Sequence, residues 1–389
     1  MRTFGKWLGR ILLMLVLAAT VVGVWKWEQI KRLHFVVTLF NEGRIVENFS
    51  NMDKAFLTVP VPRGDGPVTP LPAGAPLTPT PEMTAWVAEA DLTSLLVLHR
   101  GEIVHEGYYL GTEADDHRIS WSLAKSFMSS LFGILLEEGA IGSIDDPVTQ
   151  YVPQLAGTAY DGATIRNVLQ MTSTVVFDED YLDQRSDIQR MGRVLALGGL
   201  MDDFTASFSE TDGTRGERWQ YVSLDTHVLG MVIRGATGRP VSELMSEKII
   251  APLGLEGAPR FISDGAGVAI VLGGILMTTR DYARFGQMIE QDGKWNGQQI
   301  VPADWIAEST KASAPTAPGQ IGYGYQWWVP VEPREKEFLG RGIYGQYIYI
   351  DQERDLVIVT TAADRQFREP GVNLANVEMM RKIADLAQN

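Results

Sequence analysis

Strand-length apolar runs occur towards both ends of this chain and almost nowhere between. Leu92 to Leu98 and Ile103 to Tyr109 are apolar or alternating runs separated by His99-Arg100-Gly101-Glu102, a hairpin signal. The next such runs are Gly322 to Trp328, Gly345 to Ile350 and Leu356 to Thr361, and a helical pattern from Val372 to Ala387 closes the chain. Between them lie turn and helix signals: Asp145-Asp146-Pro147 as a turn, Thr164 to Met171 and Ser223 to Ile233 as helices, and Thr278-x-x-Asp281 as the capped start of a helix from Thr279 to Gln291. This order predicts an α/β protein of the α+β kind: an antiparallel sheet built from both chain ends and flanked by helices, with a large helical insert. The expected limits are 83–142 with 315–389 for the sheet domain and 143–314 for the insert, with a ligand cleft between the two parts.

The first helix after the hairpin carries chemistry. In Ile119-Ser120-Trp121-Ser122-Leu123-Ala124-Lys125-Ser126-Phe127, the residues Phe127, Met128, Leu131 and Leu135 form one buried stripe, and Glu138-Gly139 supplies the stop. Ser122 at the helix start has Lys125 one turn on, so hydroxyl and amine can share a proton, and the helix N-terminus favours a developing oxyanion. An N-cap serine followed by a solvated lysine satisfies the same pattern, so the other residues must decide. Tyr221 sits at a loop end just before the helix that starts at Ser223, where its phenol can reach a cleft, and a nearby lysine would pull it towards a usable base. Gly340-Arg341-Gly342-Ile343 precedes a strand, and its glycines let a backbone N–H approach a substrate carbonyl.

Composition removes whole classes of function. The net charge of −14 leaves no basic face for nucleic acid. Cysteine is absent, which excludes thiol nucleophiles, disulfides and cysteine zinc sites. The five histidines show no paired spacing, so neither a metal nor a cofactor is expected. No G-x-S-x-G elbow is present and His227 falls inside an expected helix, which disfavours a Ser-His-Asp hydrolase. At the N-terminus Arg2, Lys6 and Arg10 precede an apolar run from Ile11 to Trp25, followed by Lys26-Trp27. Residues 1–27 read as an uncleaved signal anchor in a bacterial inner membrane, with the remainder periplasmic, or secreted if the segment is cleaved. Residues 28–82 read as a juxtamembrane segment and a spacer, since Val59 to Pro81 is rich in proline and glycine without periodicity; the folded unit is expected from Met83.

Ser122-Leu123-Ala124-Lys125, then Tyr221-Val222-Ser223, then the glycine box before a C-terminal strand resemble the three motifs of the class C β-lactamase-related serine hydrolases. Gly273 to Asp281 and Tyr344 to Asp351 are similar to family text as well. Within that family the chain resembles the esterase and 6-aminohexanoate-dimer hydrolase branch, with Ser223 in the second box and Tyr181, within Asp178 to Asp183, in a substrate-contacting loop. The resemblance implies a β-lactamase/transpeptidase-like fold and acyl transfer through a serine ester on a small ester or amide, without a cofactor. It implies Ser122 as nucleophile, Lys125 and Tyr221 sharing base and acid work, and the N–H groups of Ser122 and Ile343 as oxyanion hole. Ser223, Tyr181, Gly342 and Trp328 become substrate-binding candidates, and Trp327 a further pocket wall. Aligning Gly342 with the lactamase glycine puts Gly340 where the lysine of Lys-Thr-Gly would be, so the cation for a β-lactam carboxylate is expected to be missing, with Arg341 facing away. Two rivals stand beside this reading: a D-amino-acid peptidase or penicillin-binding enzyme, and an idle membrane-tethered scaffold.

Overall fold

In the computed structural model, which describes residues 2–388, the expected sheet is present. Its strands are β2 (Leu92–His99), β3 (Glu102–Tyr108), β9 (Gly322–Tyr323), β10 (Trp328–Val329), β11 (Glu337–Gly342), β12 (Gln346–Asp351) and β13 (Leu356–Ala362), numbered with β1 (Leu57–Pro60), β4 (Arg118–Ile119), β5 (Arg260–Ser263), β6 (Ile275–Met277) and a small hairpin, β7 (Lys294–Trp295) and β8 (Gln298–Gln299). The seven-stranded sheet runs β3-β2-β13-β12-β11-β10-β9, every neighbouring pair antiparallel. The central strands read as unbroken apolar runs because helices cover both faces. Leu96, Leu98, Ile348, Ile350, Val357 and Val359 face one core with the nucleophile helix Ala124–Glu137 and the helix Thr279–Glu290. Leu95, Val97, Tyr349 and Ile358 face another with Trp86 and the helix Val372–Ala387.

Local signals place the helix ends. The Thr278 side chain accepts from the Asp281 N–H, capping Thr279–Glu290 as expected. Gly139, at φ +75°, ends the nucleophile helix in the left-handed conformation that glycine adopts without penalty. Gly322 to Trp328 is not one strand: Gln326, at φ +66°, interrupts it and inserts its side chain towards the helical part, donating to the Val168 and Leu169 carbonyls and accepting from Thr226. β11 shows no strand signal in the sequence, since Gly340, Arg341 and Gly342 make up half of its six residues.

The proline-rich segment is not a spacer. β1 pairs with β5, and a second sheet is completed as β1-β5-β6-β4. Beyond β1, Val61 N–H donates to Pro259, Thr69 to Gly254, Gly74 to Ile103 and Leu77 to Val104. An extended chain short of N–H groups thus spends those it has on neighbouring backbone. Before β1, Leu39, Ile45, Phe49, Met52 and Phe56 are buried in the main core. The folded body therefore takes in residues well upstream of Met83.

The helix Arg2–Trp25 stands apart from this body. Its Lys6–Trp25 portion is long and apolar enough to cross a membrane by length and composition, and it is not buried by the other described residues. Phe49 gives a direct test of the correction. Its ring is fully buried, so Phe49→Ala should lower stability by about 3–5 kcal/mol, read from urea denaturation in detergent. A spacer residue would leave the midpoint unchanged.

Candidate active site

Ser122 lies in a single 3₁₀ turn, Trp121–Leu123, that leads from β4 into the nucleophile helix. The turn places Lys125 beneath it: the ammonium nitrogen is 3.1 Å from Ser122 Oγ, 3.2 Å from Ser223 Oγ and donates to the Leu272 carbonyl at 2.6 Å. Lys125 is 2% exposed. Burial away from water lowers its pKa to about 7, and the nearby carboxylates Glu179 and Asp225 only partly oppose this. Near neutral pH much of it is a free amine. With its two N–H groups on Leu272 and Ser223, the lone pair is left for the Ser122 hydroxyl.

Tyr221 lies beside both, with its ring 5.3 Å from Lys125 Nζ and its hydroxyl in hydrogen-bond contact with Ser122. The expectation that lysine would pull this phenol down is not met. Burial, then the charge of Glu179, push it well above its ordinary value, so Tyr221 stays protonated and acts as a donor. Ser223 begins the helix Ser223–Thr237 and is held by a residue the sequence reading passed over. Glu179 accepts from Ser223 Oγ at 2.5 Å, from Ser223 N–H at 3.0 Å and from the Tyr181 hydroxyl at 2.5 Å. The acidic run Asp178 to Asp183 holds four carboxylates, and only the fold shows which one turns inward.

The third part comes from β11. A Cβ on Gly342 would stand 2.3 Å from the Ser120 carbonyl, so glycine is required for the strand to approach the nucleophile loop this closely. That approach brings Ile343 into the cleft with Ser122. Left-handed backbone flanks both residues: Trp121 has φ +45° and Tyr344 has φ +60°. Such conformations in large residues cost on the order of 1–3 kcal/mol each and persist where packing enforces them. Here Phe40 and Phe49 enforce them. Phe40 stacks on Tyr344 at 5.1 Å and meets Trp121 at 5.8 Å, and Phe49 lies 5.4 Å from each.

Trp328 stacks on Tyr221 at 5.4 Å and lines the cleft, whereas Trp327 is buried against Phe285 and Phe338 and is no pocket wall. Arg341 also corrects the sequence reading. Alternation along β11 holds, but in the opposite phase: Gly340 and Gly342 face the nucleophile loop, and Arg341 faces the cleft, its guanidinium 4.8 Å over the Trp328 ring. A Cβ on Gly340 would meet Leu123 at 2.5 Å and Ser126 at 3.0 Å. A lysine there could not reach substrate, and the cleft is not without a cation.

A half-buried serine and tyrosine around a buried lysine, at the start of a helix and opposite a glycine-edged antiparallel strand, form an arrangement that can carry out acyl transfer. The chain belongs to the β-lactamase family, whose description as Beta-lactamase matches residues 89–377. It is an enzyme of that family, a serine hydrolase. Among its relatives, the 6-aminohexanoate-dimer hydrolase of Paenarthrobacter ureafaciens is 31% identical over 330 residues, 80% of this chain and 83% of the relative. Among solved structures, a protein from Bacillus anthracis named for the same hydrolase superposes with a TM-score of 0.80 at 22% identity, covering 90% of this chain and 96% of that one. EstCE1, a hydrolase with promiscuous acyltransferase activity, superposes at 0.57 with 15% identity, covering 79% and 96%. These two likenesses bear on the fold.

The state of Lys125 sets an expected pH profile for ester turnover. Below about pH 7 the amine is protonated and has no lone pair, so kcat/KM should fall about tenfold per pH unit. Above it the profile should be flat, because Tyr221 keeps its proton well past the usual phenol range. A rising limb centred near 10 would assign the base to the tyrosine instead.

Proposed function

We propose that this protein hydrolyses a small ester or amide through an acyl-enzyme on Ser122, and the observation that carries the reading is the desolvated Lys125 in contact with Ser122 Oγ. The neutral amine takes the hydroxyl proton as Ser122 attacks the carbonyl carbon. The oxyanion rests on the N–H groups of Ser122 and Ile343, at the helix start and the strand end. Tyr221 and Lys125 then return a proton to the leaving alcohol or amine, Tyr221 from the side on which it stacks with Trp328. Water enters, the same groups run in reverse, and the acid leaves. Ser223, fixed by Glu179, holds Lys125 in place.

Arg341 supports a second reading, in which the group beyond the scissile bond bears a carboxylate, as in a peptidase acting on a free C-terminus. The guanidinium faces the pocket shared by Ser122, Tyr221 and Gly342. Arg368, on the rim of the same pocket, is paired with Asp180. The helix Arg2–Trp25 supports anchoring in a bacterial inner membrane with the hydrolase on the periplasmic side; resistance to alkaline carbonate and activity of a periplasm-dependent reporter fused at the C-terminus check this.

Ser122→Ala should reduce turnover of nitrophenyl esters by on the order of a millionfold with an unchanged melting temperature. Retained turnover would overturn the assignment. Arg341→Ala separates the two substrate readings. With a carboxylate-bearing amide, loss of a charge-assisted contact of about 1.5 to 3 kcal/mol should lower kcat/KM ten- to a hundredfold, while a neutral ester should be little affected. Equal losses on both substrates would remove the carboxylate from the reading.

A further inference from the structure

The nucleophile stands between two unlike spaces. On the Tyr221 side is the open pocket that holds Arg341. On the other side, reached past Ser122, Ile343 and Ser223, is an apolar cavity of about 100 Å³. Leu39 and Phe40 form one wall, Met191 and Leu195 a second, and Ile262 and Ile270 a third. Among the described residues no charged side chain lines it, and its polar side chains are Ser122, Ser223, Tyr181 and Gln189, whose amide donates to the Tyr181 carbonyl.

We propose, on the basis of the hydrolase reading above, that this cavity is the acyl-chain site and that it takes a short, uncharged aliphatic chain. The side follows from the proton donor. Tyr221 lines the Arg341 pocket but not the cavity, so the leaving group that receives a proton departs into the former and the acyl chain occupies the latter. The length follows from the volume. A cavity of about 150 Å³ accommodates benzene, so 100 Å³ holds roughly four carbons beyond the carbonyl, a butyryl to hexanoyl group. The charge follows from the lining. A chain ending in an ammonium would leave water for a space with no counter-charge, which an alkyl end does without penalty.

Gly192 gives the handle for a test. It lies within the helix Asp187–Ala196 on the cavity wall, and a Cβ there would meet nothing within 4 Å, so a larger side chain fills the space without displacing backbone. Nitrophenyl acetate, butyrate, hexanoate, 6-aminohexanoate and decanoate are compared on the full chain and on Gly192→Leu. Expected are butyrate and hexanoate at least tenfold above acetate, decanoate and 6-aminohexanoate in kcat/KM, with Gly192→Leu lowering the hexanoate-to-acetate ratio at least tenfold. A flat acyl series that Gly192→Leu leaves unchanged would overturn the cavity assignment while the hydrolase stands. Saturation-transfer NMR of hexanoate on Ser122→Ala supplies a readout independent of turnover. Hexanoate signals that vanish in the Ser122→Ala, Gly192→Leu protein uphold the cavity even if no ester is cleaved, in which case only the hydrolase reading falls. Absence of hexanoate binding to Ser122→Ala overturns the proposal.

Discussion

The removal of Lys125 from water is the constraint on which the site depends. A lysine side chain this deeply buried is unfavourable unless it gives up its charge, and a fold that buries it must supply acceptors for its remaining N–H groups. Two distant stretches do so here. The nucleophile helix presents the side chain, Ser223 comes from a helix about a hundred residues on, and Leu272 offers its carbonyl from the loop before β6. Asp225, fully buried two residues beyond Lys125's partner Ser223, accepts from Tyr160 and Ser173, and burial raises its pKa to about 8. Near neutral pH it therefore withholds much of the negative charge that would otherwise keep the lysine protonated.

A second constraint acts through the backbone. The two residues proposed above to hold the oxyanion, Ser122 and Ile343, each adjoin a large side chain in left-handed conformation, Trp121 before Ser122 and Tyr344 after Ile343. Neither conformation is favourable alone. Both are held by one aromatic cluster in which Phe40 and Phe49 are wedged between the two strained residues, and Phe367 closes it against Tyr344 at 4.5 Å. The backbone on either side of Ser122 and Ile343 is thus held by aromatic residues from outside both segments.

Much of this was legible in the sequence, and the failures share a cause. Strands covered on both faces read as apolar runs, so β2, β12 and β13 stand out, and the helix Val372–Ala387 has the limits its periodicity gives. Ser122 with Lys125, and Tyr221 with Ser223, are each legible from their spacing relative to a helix start, whereas the meeting of the two pairs was legible only through the family resemblance. What was not legible depends on partners remote in the chain. The burial of 39–61 rests on contacts such as Val61 with Pro259; the inward turn of Glu179 rests on Ser223; the placing of Trp328 rather than Trp327 in the cleft rests on where Gln326 interrupts the strand. For Arg341, the pleat dictates that neighbours alternate but not which set faces the cleft. The phase is decided by the Ser120 carbonyl, which leaves room only for a hydrogen at 342 and so turns 341 outward.

The N-terminal segment ties these threads together. One residue separates the apolar helix Arg2–Trp25 from the helix Trp27–Thr38, and of the residues just beyond, Leu39 is buried in the core and Phe40 packs against it. Phe40 touches both strained residues, Trp121 and Tyr344, and also forms part of the apolar cavity wall beside Ser122. A segment that only tethered the hydrolase could be any flexible sequence of sufficient reach. This one supplies a wall of the cleft and packs behind Trp121 and Tyr344, so the chain that leads away from the apolar helix is part of the folded body.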